Sequence, residues 1–173
     1  IGDYAFWGCS SLQSITIPES VTTIGGNAFS GCSSLQSITI PECVTEIGEC
    51  AFRYCTSLKS VTIPNLVTKI EVCTFEGCTS LESIVVADGN SVYDSREGCN
   101  AIIETTTNTL IQGCKTTVIP ESVTKIGDDA FLGCTSLKSI TIPESVTEIG
   151  SEAFCDCTSL KSITIPESVT EIG

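Results

Sequence analysis

Residues 134–150 read CTSLKSITIPESVTEIG, and residues 157–173 repeat those 17 letters 23 positions later. Aligned at that period, copies begin at Ile1, Ile24, Ile47, Ile70, Ile126 and Ile149. With Ile1 as position 1, every phenylalanine falls at position 6: Phe6, Phe29, Phe52, Phe75, Phe131 and Phe154. Every proline falls at position 18: Pro18, Pro41, Pro64, Pro120, Pro143 and Pro166. A fixed period in this range marks a solenoid or array. A site made of unique groups has no use for a copy of itself; a stack of like coils does.

Within one repeat, Leu12, Ile15 and Ile17 alternate with Ser14 and Thr16, the period-two pattern of a short half-buried strand. Pro18 has no N–H to give a neighbouring strand and ends the run. Val21, Ile24, Ala28 and Phe29 turn inward on the return path, and Gly25 and Gly31 allow tight bends. One coil cannot cover its own apolar side, but stacked coils bury a continuous core. Strands in register, roughly 4.8 Å apart, then form a parallel sheet.

The segment C-x-x-L-x-x-I-x-I-P-x-x-V-x-x-I-G-x-x-A-F resembles the leucine-rich repeat pattern. It is most similar to the 23-residue, Treponema-type repeat of the BspA-like surface proteins. The resemblance spans nearly the whole chain and speaks more to fold than to function, since such repeats are scaffolds whose exposed positions vary. It implies a leucine-rich repeat solenoid: a curved right-handed coil stack with a parallel β-sheet on the concave face, a convex side of loop and short helix, and one irregular longer coil with a β-hairpin. It also implies cell-surface or secreted localisation, and adhesion to a host or neighbouring-cell protein or glycan.

The pattern breaks between Ile70 and Ile126, 56 residues apart, one repeat plus 33. Copy four already drifts, with Glu71 for Gly, Thr74 for Ala, Val85 for Thr and Ala87 for Pro. Asp88-Gly89-Asn90 is turn chemistry. Residues 101–104 and 109–113 are β-prone runs flanking Thr105-Thr106-Thr107-Asn108, which predicts a hairpin. The expected organisation is one domain over 1–173, with regular coils at 1–92 and 126–173 and an irregular longer coil at 93–125. The insertion either carries binding or is a lengthened coil with an ornamental hairpin.

Charge narrows the partners. The chain has 21 acidic and 8 basic residues, a net charge of −13. Nucleic-acid binding needs a concentrated basic face, so no nucleic-acid partner is expected. No apolar run reaches the roughly 18 residues of a membrane span, so direct membrane insertion is not expected. With no methionine, no signal peptide and both ends in mid-pattern, the sequence reads as a segment of a longer protein.

Of 12 cysteines, Cys9, Cys32, Cys55, Cys78, Cys134 and Cys157 share position 9. A repeated position points one way in every coil, so these thiols should stack along the core as small hydrophobes, with interlocked disulfides the alternative. Cys50 and Cys73 share position 4 in neighbouring coils, which leaves a bridge geometrically open. If Glu104 pairs with Thr109, then Ile103 faces Leu110, Ile102 faces Ile111 and Cys99 faces Cys114, which allows a disulfide across the hairpin base. No metal site is expected, because the chain has no histidine and no Cys-x-x-Cys. No cofactor is expected either, and without an imidazole base or a nucleophile, phosphate or dinucleotide motif the chain reads as non-enzymatic. Asp88, Asp94, Arg96, Glu97 and Glu104 gather in the irregular segment, as paired carboxylates for hydrolysis or calcium, or as an ordinary acidic loop.

The candidate partner-binding surface is the concave strand face. Ser14, Ser37, Ser60, Ser83, Ser139 and Ser162 form one column. Thr16, Thr39, Thr62, Thr141 and Thr164 form a second, interrupted by Val85. Lys59, Glu82, Lys138 and Lys161 border them. The main reading is a binding module for a protein or glycan. A passive spacer of near-identical coils is the alternative, and a flat ice-binding hydroxyl array a distant third.

Overall fold

A computed structural model describes residues 1–173. The chain winds into a β-solenoid of about seven coils with almost no helix. Its strands, in order, are β1 (Thr23–Ile24), β2 (Glu46–Ile47), β3 (Ser60–Ile63), β4 (Lys69–Ile70), β5 (Ser83–Val86), β6 (Tyr93–Asp94), β7 (Ile102–Glu104), β8 (Thr109–Gln112), β9 (Lys125–Ile126), β10 (Glu148–Ile149) and β11 (Glu171–Ile172). One 3-10 turn, Arg96–Gly98, is the only helical element.

Strands lie on two sides of the solenoid. On the strand face, β3 and β5 pair in parallel with Ser60 opposite Ser83 and Thr62 opposite Val85, the one-repeat register expected from the sequence. Serine and threonine point outward there, while Val61, Ile63, Ile84 and Val86 are buried. The same in–out alternation continues through Ile38 and Ile40, but only β3 and β5 form a full ladder.

The longer ladders run along the opposite side, through a two-residue segment of each repeat. There β1, β2 and β4 form one parallel sheet, and β6 to β11 form a mixed one, antiparallel from β6 to β8 and parallel from β8 to β11. This side is strand, not the loop and short helix that the resemblance implied. In the regular coils its segments end in β-branched Ile beside Thr, Glu or Lys, and each is cut short by the glycine or acidic residue that follows.

The glycine at position 2 sets the stacking distance. A Cβ on Gly25 would lie 2.7 Å from the amide nitrogen of Asp3 in the preceding coil, and one on Gly48 would lie 2.6 Å from that of Gly26. At Gly25 and Gly48 no side chain fits between the coils; coil four, just before the break, instead carries Glu71 at this position.

At the corner between the two sides, each position-6 amide donates to the position-5 carbonyl of the next coil: Phe6 to Ala28, Phe29 to Ala51 and Phe52 to Thr74, at 2.8–2.9 Å. The rings stack in parallel. Phe6, Phe29, Phe52 and Phe75 follow one another with centroids 5.2–5.4 Å apart, and Phe131 and Phe154 are 5.1 Å apart. Position-9 thiols close the corner. Sγ of Cys32, Cys55, Cys78 and Cys157 donates to the carbonyl of Phe6, Phe29, Phe52 and Phe131, at 3.1–3.3 Å.

Coil five departs from this plan. Its predicted hairpin is present as antiparallel β7 and β8, joined by the loop 105–108. Glu104 opposes Thr109 and Ile103 opposes Leu110 as expected, but the register then slips and Ile102 faces Gln112, not Ile111. The slip carries Cys99 and Cys114 out of alignment. Each is a free thiol, donating instead to the carbonyls of Ala101 and Asn100.

The hairpin partitions the interior. Ile102 belongs to the amino-terminal core with Phe29, Phe52 and Tyr93, whereas Ile103 belongs to the carboxy-terminal core with Leu110, Phe131 and Leu137. Successive residues of a strand face opposite sides, so β7 is buried on both. Two extra strands on this side add about 10 Å at the usual spacing. On the strand face, coils four and five stay in touch through the Lys115–Glu82 ion pair at 2.9 Å, so the strand face is the shorter, concave side here.

Candidate functional site

Four hydroxyl columns run the length of the solenoid, and they are used differently. At position 22, the hydroxyls of Thr45, Thr124, Thr147 and Thr170 donate to the carbonyl of the equivalent threonine, Thr107 in the hairpin coil's case, one coil back at 3.2–3.3 Å. At position 10, Ser33, Thr56 and Thr79 do the same at 3.3–3.5 Å. These two columns bind coil to coil.

The strand-face columns are different. Ser14, Thr16, Ser37, Thr39, Ser60, Thr62, Ser139, Thr141, Ser162 and Thr164 are exposed, Ser83 is half-buried, and the side chains of all eleven make no hydrogen bond within the chain. Lys59, Glu82, Lys138 and Lys161 are exposed at the start of the strand segments, as the repeat register requires.

The face also continues through coil five, where counting back from Pro120 puts Lys115 at position 13, Thr116 at 14 and Val118 at 16. Lys115 pairs with Glu82, the Thr116 hydroxyl donates to the Glu82 carbonyl, and Val118 is 70% exposed. These residues escape a reading that treats the whole insertion as irregular. The signal was Pro120, which already kept its place in the proline column.

The rival surface is the hairpin coil. Its five charged candidates do not converge. Arg96 pairs with Asp94 at 2.8 Å and reaches Asn108 and Ser122, which pins the hairpin loop to the turn after Pro120. Glu104 accepts from the Thr107 hydroxyl, while Asp88 and Glu97 are exposed elsewhere. No three Cys, Asp or Glu side chains come together as metal ligands would. A pocket of about 610 Å³ opens beside the hairpin, lined by Tyr93, Glu104, Lys125, Asp128 and Glu148 among others. At its edge Cys73 Sγ lies 3.7 Å from Asp129 Oδ2, so turns 56 residues apart abut where coil five supplies no turn. Burial first, then the Asp129 charge, pushes the Cys73 thiol up to about 12.

The model of the BspA type leucine-rich repeat region matches six copies over residues 1–101 and 108–173. The chain belongs to the BspA-type leucine-rich repeat family. Among solved structures, this BspA-type chain is similar to a leucine-rich cell surface protein of Faecalibacterium prausnitzii. The two are 33% identical with a TM-score of 0.78, over 100% of this chain and 52% of that one. A leucine-rich repeat protein of Eubacterium ventriosum gives 28% identity and a TM-score of 0.78, over 100% and 53%. The pneumococcal vaccine antigen PcpA gives 25% identity and 0.76, over 92% and 40%. This chain thus spans about half the length of the first two structures. No curated protein matches it.

Proposed function

We propose that this BspA-type segment is a non-enzymatic binding module, displayed at a cell surface or secreted, that holds an extracellular protein or glycan on its strand face. One observation carries the reading. Of the repeated hydroxyls at positions 10 and 22, seven donate to a neighbouring coil, whereas the eleven strand-face side chains from Ser14 to Thr164 named above make no hydrogen bond within the chain. Surface display rests on similarity to a protein described as a leucine-rich cell surface protein. A polar face with few aromatic anchors makes many modest contacts, so affinity per module is about micromolar and gains from multiple copies.

The test compares beads coated with the protein for adhesion to a panel of immobilised matrix proteins and glycans. Thr39→Glu, Thr62→Glu and Thr141→Glu together abolish adhesion on this reading, while circular dichroism shows the fold intact. Replacing residues 87–113 by a regular coil leaves adhesion in place. If only the hairpin replacement removes it, the broken repeat is the functional element. Adhesion in neither wild type nor variant makes the segment a spacer, which the identity of residues 134–150 and 157–173 favours.

A further inference from the structure

The eight cations of the chain divide into two groups. Arg53, Lys69, Arg96 and Lys125 lie away from the strand face, and each is ion-paired: with Glu76, with Glu46 and Glu71, with Asp94 and with Glu148 respectively. The other four, Lys59, Lys115, Lys138 and Lys161, all occupy position 13 at one margin of the strand face. Of these only Lys115 has an acidic partner, Glu82. In a chain of net charge −13, every cation without an acidic partner therefore falls in a single column.

Three of the four lysines follow one another in coils five, six and seven, where coil stacking sets like charges roughly 4.8 Å apart. Glu82 already offsets Lys115, whereas Lys138 and Lys161 repel each other until an anion lies beside them. Between Lys115 and Lys138 the surface dips into a hollow whose other walls are Thr116, Ser136 and Ser139, with no hydrophobic side chain. Backbone groups add to it. Coils one to four are bonded along this margin, with the amides of Gln36, Lys59 and Glu82 donating to the position-13 carbonyl of the preceding coil at 2.9–3.3 Å. The segments 115–119, 138–142 and 161–165 make no backbone hydrogen bonds to one another. The peptide groups of 138–142 and 161–165 have no backbone partner, whereas the Thr117 and Val118 amides donate to the Cys114 and Cys99 carbonyls.

We propose that the lysine column of coils five to seven, centred on Lys138 and Lys161, is a binding site for a carboxylated saccharide. The inference rests on the strand-face reading above and specifies its ligand. Carboxylates pair with the ammonium groups, and sugar hydroxyls take the free serine hydroxyls and peptide groups. A hollow without aliphatic or aromatic walls offers little to a peptide, whose affinity depends on buried apolar anchors. The opposite margin carries exposed Glu121, Glu144 and Glu167, about 20 Å away along the strand. That acidic margin and the overall charge turn away long, dense polyanions such as nucleic acid.

Calorimetric titration with tetragalacturonate, neutral tetragalactose and hexaglutamate peptide tests this. Tetragalacturonate binds at least tenfold more tightly than tetragalactose, and more weakly as salt rises. Lys138→Gln with Lys161→Gln lowers its affinity at least tenfold, and Lys138→Arg with Lys161→Arg retains it. Circular dichroism is unchanged, because both residues are exposed. Equal affinity for the charged and neutral sugars overturns the proposal, as does undiminished binding by the glutamine variant. Preference for hexaglutamate assigns the column to an acidic protein and overturns it too. Bead adhesion that the three Thr→Glu changes abolish, in a protein indifferent to tetragalacturonate, refutes the ligand class and leaves the strand-face reading standing.

Discussion

Gly113 stands where other coils have phenylalanine, and Phe131 fills the space its missing side chain leaves. The Gly113 amide donates to the Ala130 carbonyl at 2.8 Å, the bond made by Phe29 to Ala51. A Cβ built on Gly113 would fall 2.1 Å from the Phe131 ring. Gly113→Ala must displace a fully buried ring already stacked on Phe154, and overpacking of this kind costs about 1–3 kcal/mol. Urea unfolding of the variant measures it; an unchanged midpoint would show that the corner has room to give.

Phe52→Ala and Phe131→Ala each lose about 3–5 kcal/mol by leaving a cavity in a stack of fully buried rings. Phe154→Ala in the last coil costs less, because that ring is already partly exposed. Three melting temperatures in the reverse order would mean the stack does not hold the corner.

The position-9 thiols behave as neutral hydrogen-bond donors. Burial pushes Cys55 from the ordinary 9.0 up to about 12, and Cys32 and Cys157 up to about 11. Native protein reacts first at exposed Cys9 and Cys43 with a disulfide reagent, and at Cys32, Cys55, Cys78 and Cys157 only in denaturant. Because the folded state holds these protons more tightly than the unfolded chain, their stabilisation is complete below pH 9. It is lost progressively between pH 9 and about 12. Stability that rises with pH across that window would contradict the buried thiols.

Arg96→Ala unfastens the hairpin loop. It removes the Asp94 pair and the bonds to Asn108 and Ser122, partly exposed contacts together worth about 1–2 kcal/mol. Hydrogen exchange should quicken at residues 102–112 and stay unchanged in coils one to three. Equal loosening throughout would mean that the hairpin is held by its partition residues alone.

The solenoid was legible because its signal repeats: alternation from Leu12 to Ile17, the Phe column and the Pro column each fix a register that six copies confirm. The second ladder was not, because Thr23–Ile24 and its equivalents are two residues long, too short for alternation to show. The hairpin was legible in its loop and outer pairs, where Glu104 and Thr109 follow from loop length. Its base was not, since the slip at Ile102 answers to burial on both faces of β7, a demand made by cores on either side. The meeting of Cys73 with Asp129 across 56 residues depends on a turn that coil five lacks, and no local pattern encodes it. The candidate face was legible in its columns, and the cations stood in plain view. Which of them lacked an acidic partner emerged only when Glu46, Glu71, Glu76, Asp94 and Glu148 found theirs.

Ile102 and Ile103 are adjacent in sequence yet serve different cores, and this has a mechanical meaning. Under axial tension, coils that peel from the carboxy-terminal end come away one after another until they reach β7. There the next thing to break is an antiparallel hairpin clamped on both sides, and the sequence of small, equal steps is interrupted by a larger one. The molecule is two springs in series with a bulkhead between them, and a solenoid built this way can lose the turns on one side of the bulkhead while those on the other keep their grip.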